Sequence, residues 1–271
     1  MDRRRIGCCG FAARLSSDSD SRHADRAGGK GVILTPIFDE VALTGSTNAD
    51  LLQRVPSGAP EGLWLRADAQ DGGRGRMGRV WESPAGNLFA STIVRLRPLD
   101  PPAPSLAFII ALALVDTIRQ IAPQIPVVVK WPNDILSVDG EKLCGMLLER
   151  SGDAVIIGVG LNLVHHPESL DRPVSNLTAL GADCPHPQAV VEILANAFDI
   201  WLTRWRNLGL PTIFKAWQSN AHPVGTALTV NLPSGEIYDG LYAGLSDDGA
   251  LQLRLADGSI RAIHAADVFL I

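Results

Sequence analysis

"VVVKWPNDILSVDGEKLCGMLLERSGDAVIIGVGLNLV", residues 127–164, is a series of short apolar runs broken at Pro132-Asn133-Asp134, Asp139-Gly140 and Ser151-Gly152-Asp153. Asp-Gly between two apolar runs is a hairpin signal. None of the breaks is long enough to hold a crossover helix, so the runs are expected to be antiparallel neighbours. That speaks against a doubly wound parallel sheet and for an α+β domain.

Working outward, "GLWLRAD" (62–68) and "NLFASTIVRL" (87–96) read as further strands, and "VILTPIFDEVAL" (32–43) as the first. Between them "TGSTNADLLQRV" (44–55) reads as a helix: Ser46, Thr47 and Asn48 are all good caps, and Leu51, Leu52 and Val55 supply an apolar stripe. Capping uses one of those three polar residues and leaves the cluster unexplained. "LAFIIALALV" (106–115) is too short for a bilayer span of about 20 residues and reads as a buried helix. "QAVVEILANAFDIWLTRWRNLG" (188–209) is an amphipathic helix ending near Gly209.

Composition changes at "QSNAHPVGT" (218–226). The remainder reads as four or five short strands with turns at Pro233-Ser234-Gly235, Asp247-Asp248-Gly249 and Asp257-Gly258, a small β-barrel-like module. The expected organisation is a tail over 1–31, a main domain over 32–220 and the barrel over 221–271. The first thirty-one residues hold arginines and serines together with Asp2, Asp18, Asp20 and Asp25, which fits neither a transit peptide nor a secretory signal.

With 271 residues, 46% of them hydrophobic and 20% charged, most of the chain is expected to fold around a core. The net charge of −5 argues against a general nucleic-acid binder. Cys8, Cys9, Cys144 and Cys184 form no C-x-x-C pair, so a reduced, cytoplasmic setting and no zinc site are expected. His165 and His166 read as loop residues.

Against this acidic background stands "GGRGRMGRVW" (72–81), with Arg74, Arg76 and Arg79 threaded among glycines. Its G-x-G-x-x-G spacing would suit a dinucleotide only if a helix opened there, and Trp81-Glu82-Ser83-Pro84 cannot start that helix. No P-loop motif occurs. Disordered Arg/Gly tracts are usually longer and sit in tails, whereas this one lies between two strands. A loop that orders over a small anion fits best. Lys130 and Lys142 add cations. Simple alternation places Lys142 with Cys144, Met146 and Leu148 on one strand face, where burial calls for an anionic partner. Gly145 and Gly158 weaken strands, which suggests close backbone approach. Asn133, Asp134 and Asn162 are polar groups at strand ends, where turn chemistry accounts for the first two equally well.

Taken together, "GSTNADLL", "AQDGGRGRMGRVW", "KWPNDIL", "EKLCGMLLE" and "IIGVGLNL" resemble, in order and spacing, the motifs of the biotin–protein ligases. The resemblance runs from about Val32 to Ile271. It implies a mixed, largely antiparallel sheet backed by helices, related to lipoate ligases and class II synthetases, with a small C-terminal SH3-like barrel. It also implies ATP-dependent formation of biotinyl-5′-AMP, with Mg²⁺, followed by biotin transfer to a lysine of a biotin carboxyl carrier domain. On matched positions it implies that Ser46, Thr47, Asn48, Gln70, Gly73, Arg74, Gly75, Arg76, Lys142, Gly145 and Gly158 bind biotin. Arg76, Arg79, Trp81, Lys130, Asn133, Lys142 and Asn162 fall on the ATP and adenylate side. Lys142, Arg74 and Arg76 are the implied catalytic groups, and Asp134 the implied Mg²⁺ contact. Asp71, Gly72 and Cys144 depart from the usual pattern without touching a matched contact. Members that also repress transcription carry an N-terminal winged helix, so no DNA binding and no membrane are expected here; homodimers through a sheet edge occur in the family. A lipoate or octanoate ligase of the related fold, or a nucleic-acid-binding module, are the alternative readings.

Overall fold

The computed structural model describes residues 35–167 and 173–271. The expected tail over 1–31 lies outside the described residues.

The chain opens with β1 (Ile37–Thr44), α1 (Thr47–Arg54) and β2 (Leu63–Gln70). Ser46 caps α1 from an extended backbone, its hydroxyl accepting from the Ala49 amide, and Asp50 and Arg54 suit the helix dipole at either end. Because α1 carries the chain back across the sheet, β1 and β2 run parallel. β3 (Leu88–Arg95) follows, then α2 (Leu106–Ile121), β4 (Val127–Lys130), β5 (Asp134–Ser137), β6 (Lys142–Ser151) and β7 (Ala154–Leu161). These seven strands form one sheet in the order β1-β2-β3-β7-β6-β5-β4, antiparallel at every pair beyond β1 and β2. The residue 127–164 stretch therefore makes four sheet strands joined by tight turns.

One face of the sheet is covered by α2 and α3 (Pro187–Leu208), and α4 (Leu210–Gln218) packs on those two helices and on the C-terminal sheet. From Leu106 to Val115 α2 is apolar all round because it is enclosed: Leu106, Ile109, Ile110, Leu112 and Leu114 have essentially no exposed surface. Each such side chain contributes about 1.5–3 kcal/mol. The stretch Ala103–Ile121 is apolar and long enough to cross a membrane by composition alone, but here it is the core helix of the sheet's covered face. Trp64 meets Phe198 edge to face, Phe108 meets Phe214 and Trp217, and the indoles of Trp201 and Trp205 donate to Asp116 and Ser105. α4 has no counterpart in the sequence reading. Pro211 looks like a stop, but it sits in the first turn of α4, where a missing amide costs nothing.

The other face carries α1, packed by Leu51 on Leu63, Leu65, Ile93 and Ile156. β7 shows how the sheet divides its two sides. Val155, Ile157, Val159 and Leu161 point into the large helical core, while Ala154 and Ile156 point toward α1. Continuing on that second face, the next positions are Gly158 and Gly160. The cluster under α1 thus ends where the side chains vanish.

A five-stranded antiparallel sheet closes the chain: β8 (Ala227–Asn231), β9 (Ile237–Leu245), β10 (Leu251–Arg254), β11 (Ile260–Ile263) and β12 (Asp267–Leu270), in the order β11-β10-β9-β8-β12. Its interior, with Val230, Leu251, Leu253 and Val268, is continuous with the helical core. Trp131 also donates its indole N–H to the Gly249 carbonyl.

Strict alternation fails at the start of β6. Ile135 pairs with Cys144 but Leu136 pairs with Lys142, so Leu143 is an extra residue, a β-bulge. Lys142 is thereby turned off the face of Cys144. Its Nζ lies 3.3 Å from where a Cβ of Gly145 would stand, on the α1 side of the sheet. Cys144 stays in the helical core, where burial pushes its thiol pKa up. The bulge is what aims this lysine at the cleft.

Candidate active site

Above Gly158 and Gly160 the α1 face opens into a cleft whose empty space, open mouth included, is about 870 Å³. α1 contributes Ser46, Thr47 and Asn48, and β2 contributes Gln70 at its last position. The Thr47 amide donates to Gln70 Oε1 at 2.9 Å. Gln70 Nε2 donates to Ser83 Oγ at 3.1 Å, and Ser83 Oγ donates to the Trp81 carbonyl at 3.0 Å. The end of the arginine loop is thus hydrogen-bonded to the cleft floor.

The bare backbone at Gly158 and Gly160 is filled by the protein's own groups. A Cβ at Gly158 would come within 2.3 Å of Asn48 Oδ1, and one at Gly160 within 2.5 Å of Trp81 Nε1. The Trp81 indole therefore lies flat across β6 and β7, with Gly145 also beneath it. Lys142 Nζ sits 5.3 Å from the centre of that ring, within cation–π range.

Opposite the small residues the cleft is cationic. Lys142 Nζ is 2.5 Å from Asp134 Oδ1, and Lys130 Nζ is 3.6 Å from Asp134 Oδ2. All three side chains are largely shielded from solvent, so these charges act through a medium less polar than water. Asn133 lies between β4 and β5, accepting from Arg76 Nη1 at 3.4 Å and donating to the Met146 carbonyl at 2.7 Å.

The arginine loop is a hairpin-like excursion. Arg74 bridges Val80, the Gly75 amide donates to the Arg79 carbonyl at 2.7 Å, and a single tight turn covers Arg76–Gly78. No helix follows, as the Trp81–Pro84 composition predicts. Arg74, Gly75, Arg76 and Arg79 all line the cleft. The C-terminal sheet meets them there: Arg76 donates to the Ala266 carbonyl at 3.1 Å, and Arg79 pairs with Asp267 at 2.8 Å. Lys130 lies 5.9 Å from the centre of the Phe269 ring.

Most of the expected site residues thus meet in one cleft. Gly73 is buried behind the loop, its carbonyl accepting from the Trp81 amide at 3.0 Å, and does not line it. Asn162 is buried past the end of β7, donating to the Ser175 carbonyl at 3.0 Å, and does not line it either. Sequence reasoning missed Asp267, which lines the cleft, and Ser91 and Glu149, which do not line it but hydrogen-bond Asn48 beneath it. A hydroxyl at Ser91, within the otherwise apolar "LFASTIV", was a usable signal, since a buried hydroxyl needs a partner. Asp267 gave none, because a carboxylate opening a terminal strand is ordinary.

Among the described residues no cluster of three or more His, Cys, Asp or Glu could hold a metal. His166 is hydrogen-bonded to Asn176, and the His165 amide donates to Asn87. Asp134 and Asp267 are the carboxylates of the cleft, and both already face cations. The donor set does not form a protein cage for Mg²⁺. A Mg²⁺ entering here would be carried mainly by substrate phosphates.

Residues 41–162 match the model of the biotin/lipoate A/B protein ligase family, and residues 228–271 match that of the biotin protein ligase C-terminal domain. The chain is 36% identical over 242 residues to the biotin–[acetyl-CoA-carboxylase] ligase of Paracoccus denitrificans, covering 84% of this chain and 98% of the relative. It is 34% identical over 238 residues to the enzyme of the same name from Mycobacterium tuberculosis, covering 85% and 88%. Among solved structures it resembles the biotin protein ligase of Aquifex aeolicus in complex with biotin and ATP, with a TM-score of 0.77 at 22% identity over 87% of this chain and 99% of that one.

Proposed function

The chain belongs to the biotin protein ligase family and is a ligase, and from that premise we propose a two-step reaction in the cleft above Gly158. In the first step a carboxylate oxygen of biotin attacks the α-phosphorus of ATP; the bond to pyrophosphate breaks, leaving biotinyl-5′-AMP. In the second, the ε-amine of an acceptor lysine attacks the acyl carbon. AMP departs with its electron pair, the amine loses a proton, and an amide remains.

One observation carries this reading: a shielded pair of lysines and a loop of arginines converge on the edge of a neutral, hydrogen-bonding pocket. A carboxylate approaching a polyphosphate meets repulsion, and cations fixed beforehand remove it where charge develops. Lys142 stands at the junction, between the Thr47–Gln70 floor and the loop. As substrates enter, their oxygens take over Lys142 from Asp134. Arg74 and Arg76 close over the α-phosphate, Arg79 and Lys130 face the phosphate tail, and Trp81 with Asn133 borders the adenylate. Excluding water protects the mixed anhydride until the acceptor arrives. Mg²⁺ carried by ATP would screen its phosphates, with Asp134 the shielded carboxylate of the cleft that would face it.

The acceptor in this reading is a biotin carboxyl carrier domain, the setting is cytoplasmic, and DNA is not a partner, in keeping with the net charge of −5. The test is isotope exchange between pyrophosphate and ATP with biotin present, absent or replaced by lipoate. Exchange that depends on biotin supports the reading. Exchange with lipoate alone transfers the chain to the sister activity, and none with folded protein removes the adenylation step. Transfer is then read as AMP release and labelling of a carrier domain, lost when its target lysine is arginine.

A further inference from the structure

The chain carries twenty arginines and only four lysines, and two of those four stand in the cleft. Lys130 and Lys142 are both shielded there, and both lie against Asp134. Lys215 is exposed on α4, which packs on α2 and α3 and so lies across the sheet from the cleft. Lys30 is outside the described residues. Where a cation stands at the mouth it is an arginine: Arg74 and Arg79 are exposed, and Arg76 is half-buried. Lysine is thus present deep in the cleft and missing from its rim.

Other nucleophilic side chains are kept away as well. Among the described residues that line the cleft there is no histidine, cysteine or tyrosine. Cys144 lies in the helical core and Cys184 packs against it, and burial pushes both thiols up. The hydroxyls of Ser46 and Thr47 have no histidine in the cleft to take their protons, and an unactivated hydroxyl is a weak nucleophile.

An acyl-adenylate reacts with any amine that reaches its acyl carbon. An exposed lysine of ordinary pKa is roughly 0.4% unprotonated at pH 8. Held beside the acyl group, that small fraction acts at an effective concentration far above that of a free amine. An arginine brings the same charge, but its guanidinium stays protonated and offers no free electron pair. We propose that arginine in place of lysine on the rim over residues 74–80 is a specificity device: it keeps the cleft from acylating its own chain and reserves the acyl group for an amine brought by a partner. This rests on the acyl-adenylate reading above. A lysine placed on the rim would undo it. Its neutral Nζ attacks the acyl carbon, a C–N bond forms and the bond from that carbon to the AMP oxygen breaks. AMP leaves with the electron pair, and the nitrogen gives its proton to solvent.

Val80 lines the cleft, is 83% exposed and has no part in the proposed chemistry, so it is the place to install an amine. Val80→Lys is incubated with biotin, ATP and Mg²⁺ without an acceptor, and in parallel with biotinyl-5′-AMP added directly. The second arm keeps the test in force if a variant loses the first step. Intact mass and peptide mapping should show biotin at position 80, appearing at least about 10-fold faster than on Lys215, because the reacting groups are held together. Arg79→Lys, which keeps the charge, should be labelled at position 79, and Val80→Arg should stay unlabelled. Ile260→Lys is the distant control: Ile260 is exposed on β11, at the opposite edge of the C-terminal sheet from β12, and an amine there should react no faster than Lys215. Val80→Lys and Arg79→Lys both remaining unmodified in the presence of biotinyl-5′-AMP would overturn the proposal. So would equal labelling of positions 80, 260 and 215, which marks reagent free in solution, or labelling of Lys130 or Lys142 in the wild type. Wild-type protein giving no biotin-dependent pyrophosphate exchange would instead overturn the adenylation reading beneath it.

Discussion

Lys142 Nζ lies 2.5 Å from Asp134 Oδ1 only because the bulge at Leu143 turns the lysine onto the α1 face of the sheet. Without the extra residue, the same side chain would enter the helical core beside Cys144. In the proposed reaction the pair holds a cation where the two substrate anions meet, and its position depends on backbone geometry rather than on a flexible reach. Lys142→Met should lower biotin-dependent pyrophosphate exchange by about 100-fold or more, the scale for losing a group aimed at developing charge. Lys142→Arg keeps the charge but replaces a point donor by a planar fork, and should still lose at least about 10-fold. Exchange in Lys142→Met within a few-fold of wild type would remove this lysine from the chemistry.

Arg79 and Asp267 join the loop to β12 across 188 residues of sequence, at 2.8 Å and with both side chains partly exposed. Such a pair adds little to global stability, about 0–1 kcal/mol. Its effect should be local, restricting the loop with the help of the Arg76 bond to the Ala266 carbonyl. Asp267→Ala should leave the thermal midpoint nearly unchanged but raise trypsin cleavage after Arg76 and Arg79 several-fold. Biotin with ATP should suppress that cleavage. Equal cleavage of wild type and variant would mean that the C-terminal sheet does not hold the loop.

Much of this architecture was legible because its signals are local. Asp139-Gly140 and Ser151-Gly152-Asp153 are turns in themselves, and Ser46 caps α1 with atoms three residues apart. The motif residues could be gathered for a related reason: strand ends and short loops bring Gln70, Asn133 and Lys142 to one edge whatever the packing beyond. The readings that failed depend on pairing. Alternation could not place Lys142, because a bulge is defined only against the partner strand, β5. Ser91 and Glu149 lie behind the cleft and reach Asn48 across 43 and 101 residues of sequence, which no local pattern shows. Asn162 and Gly73 stand one layer behind the cleft lining, where Asn162 donates to the Ser175 carbonyl and the Gly73 carbonyl accepts from the Trp81 amide.

Gly160 tests how tightly Trp81 is seated. A methyl there would stand 2.5 Å from the indole nitrogen and 2.6 Å from Cε2, so the ring must move or the strand must. Gly160→Ala should cost about 1–3 kcal/mol and lower exchange activity as the indole is pushed into the cleft. Trp81→Phe should relieve part of that clash, since the smaller ring vacates the position of the nitrogen. Residues in contact couple by about 0.5–3 kcal/mol, so the double variant should be more stable than the two single changes sum to. Strict additivity by denaturant unfolding would contradict the seating of Trp81 on Gly160.

Away from the cleft, Glu61 and Arg206 make a shielded ion pair at 2.7 Å that joins α3 to the strand side of the molecule; Arg206 also bonds Asp100 and the Arg95 carbonyl. Burial alone would raise the pKa of Glu61. The hydrogen bonds and charge of Arg206, with the Arg95 amide and Arg97, outweigh it and hold the carboxyl below its ordinary value of 4.5. The unfolded chain therefore binds this proton more readily than the folded one. The contribution to stability is complete above about 4.5 and is lost as the pH falls through the lowered folded value. Arg206→Met should destabilise the protein at pH 7 by about 3 kcal/mol, because it leaves a shielded carboxylate without its main partner. For a domain of this size that corresponds to a thermal midpoint lower by about 6–12 °C. The gap between variant and wild type should narrow as the pH is taken below about 4.5, where the wild type loses the pair as well. Thermal unfolding of both proteins from pH 7 to pH 3 reads this directly. A gap that stays constant across the series would mean that Arg206 stabilises α3 through its packing and its bond to the Arg95 carbonyl rather than through the charge of Glu61.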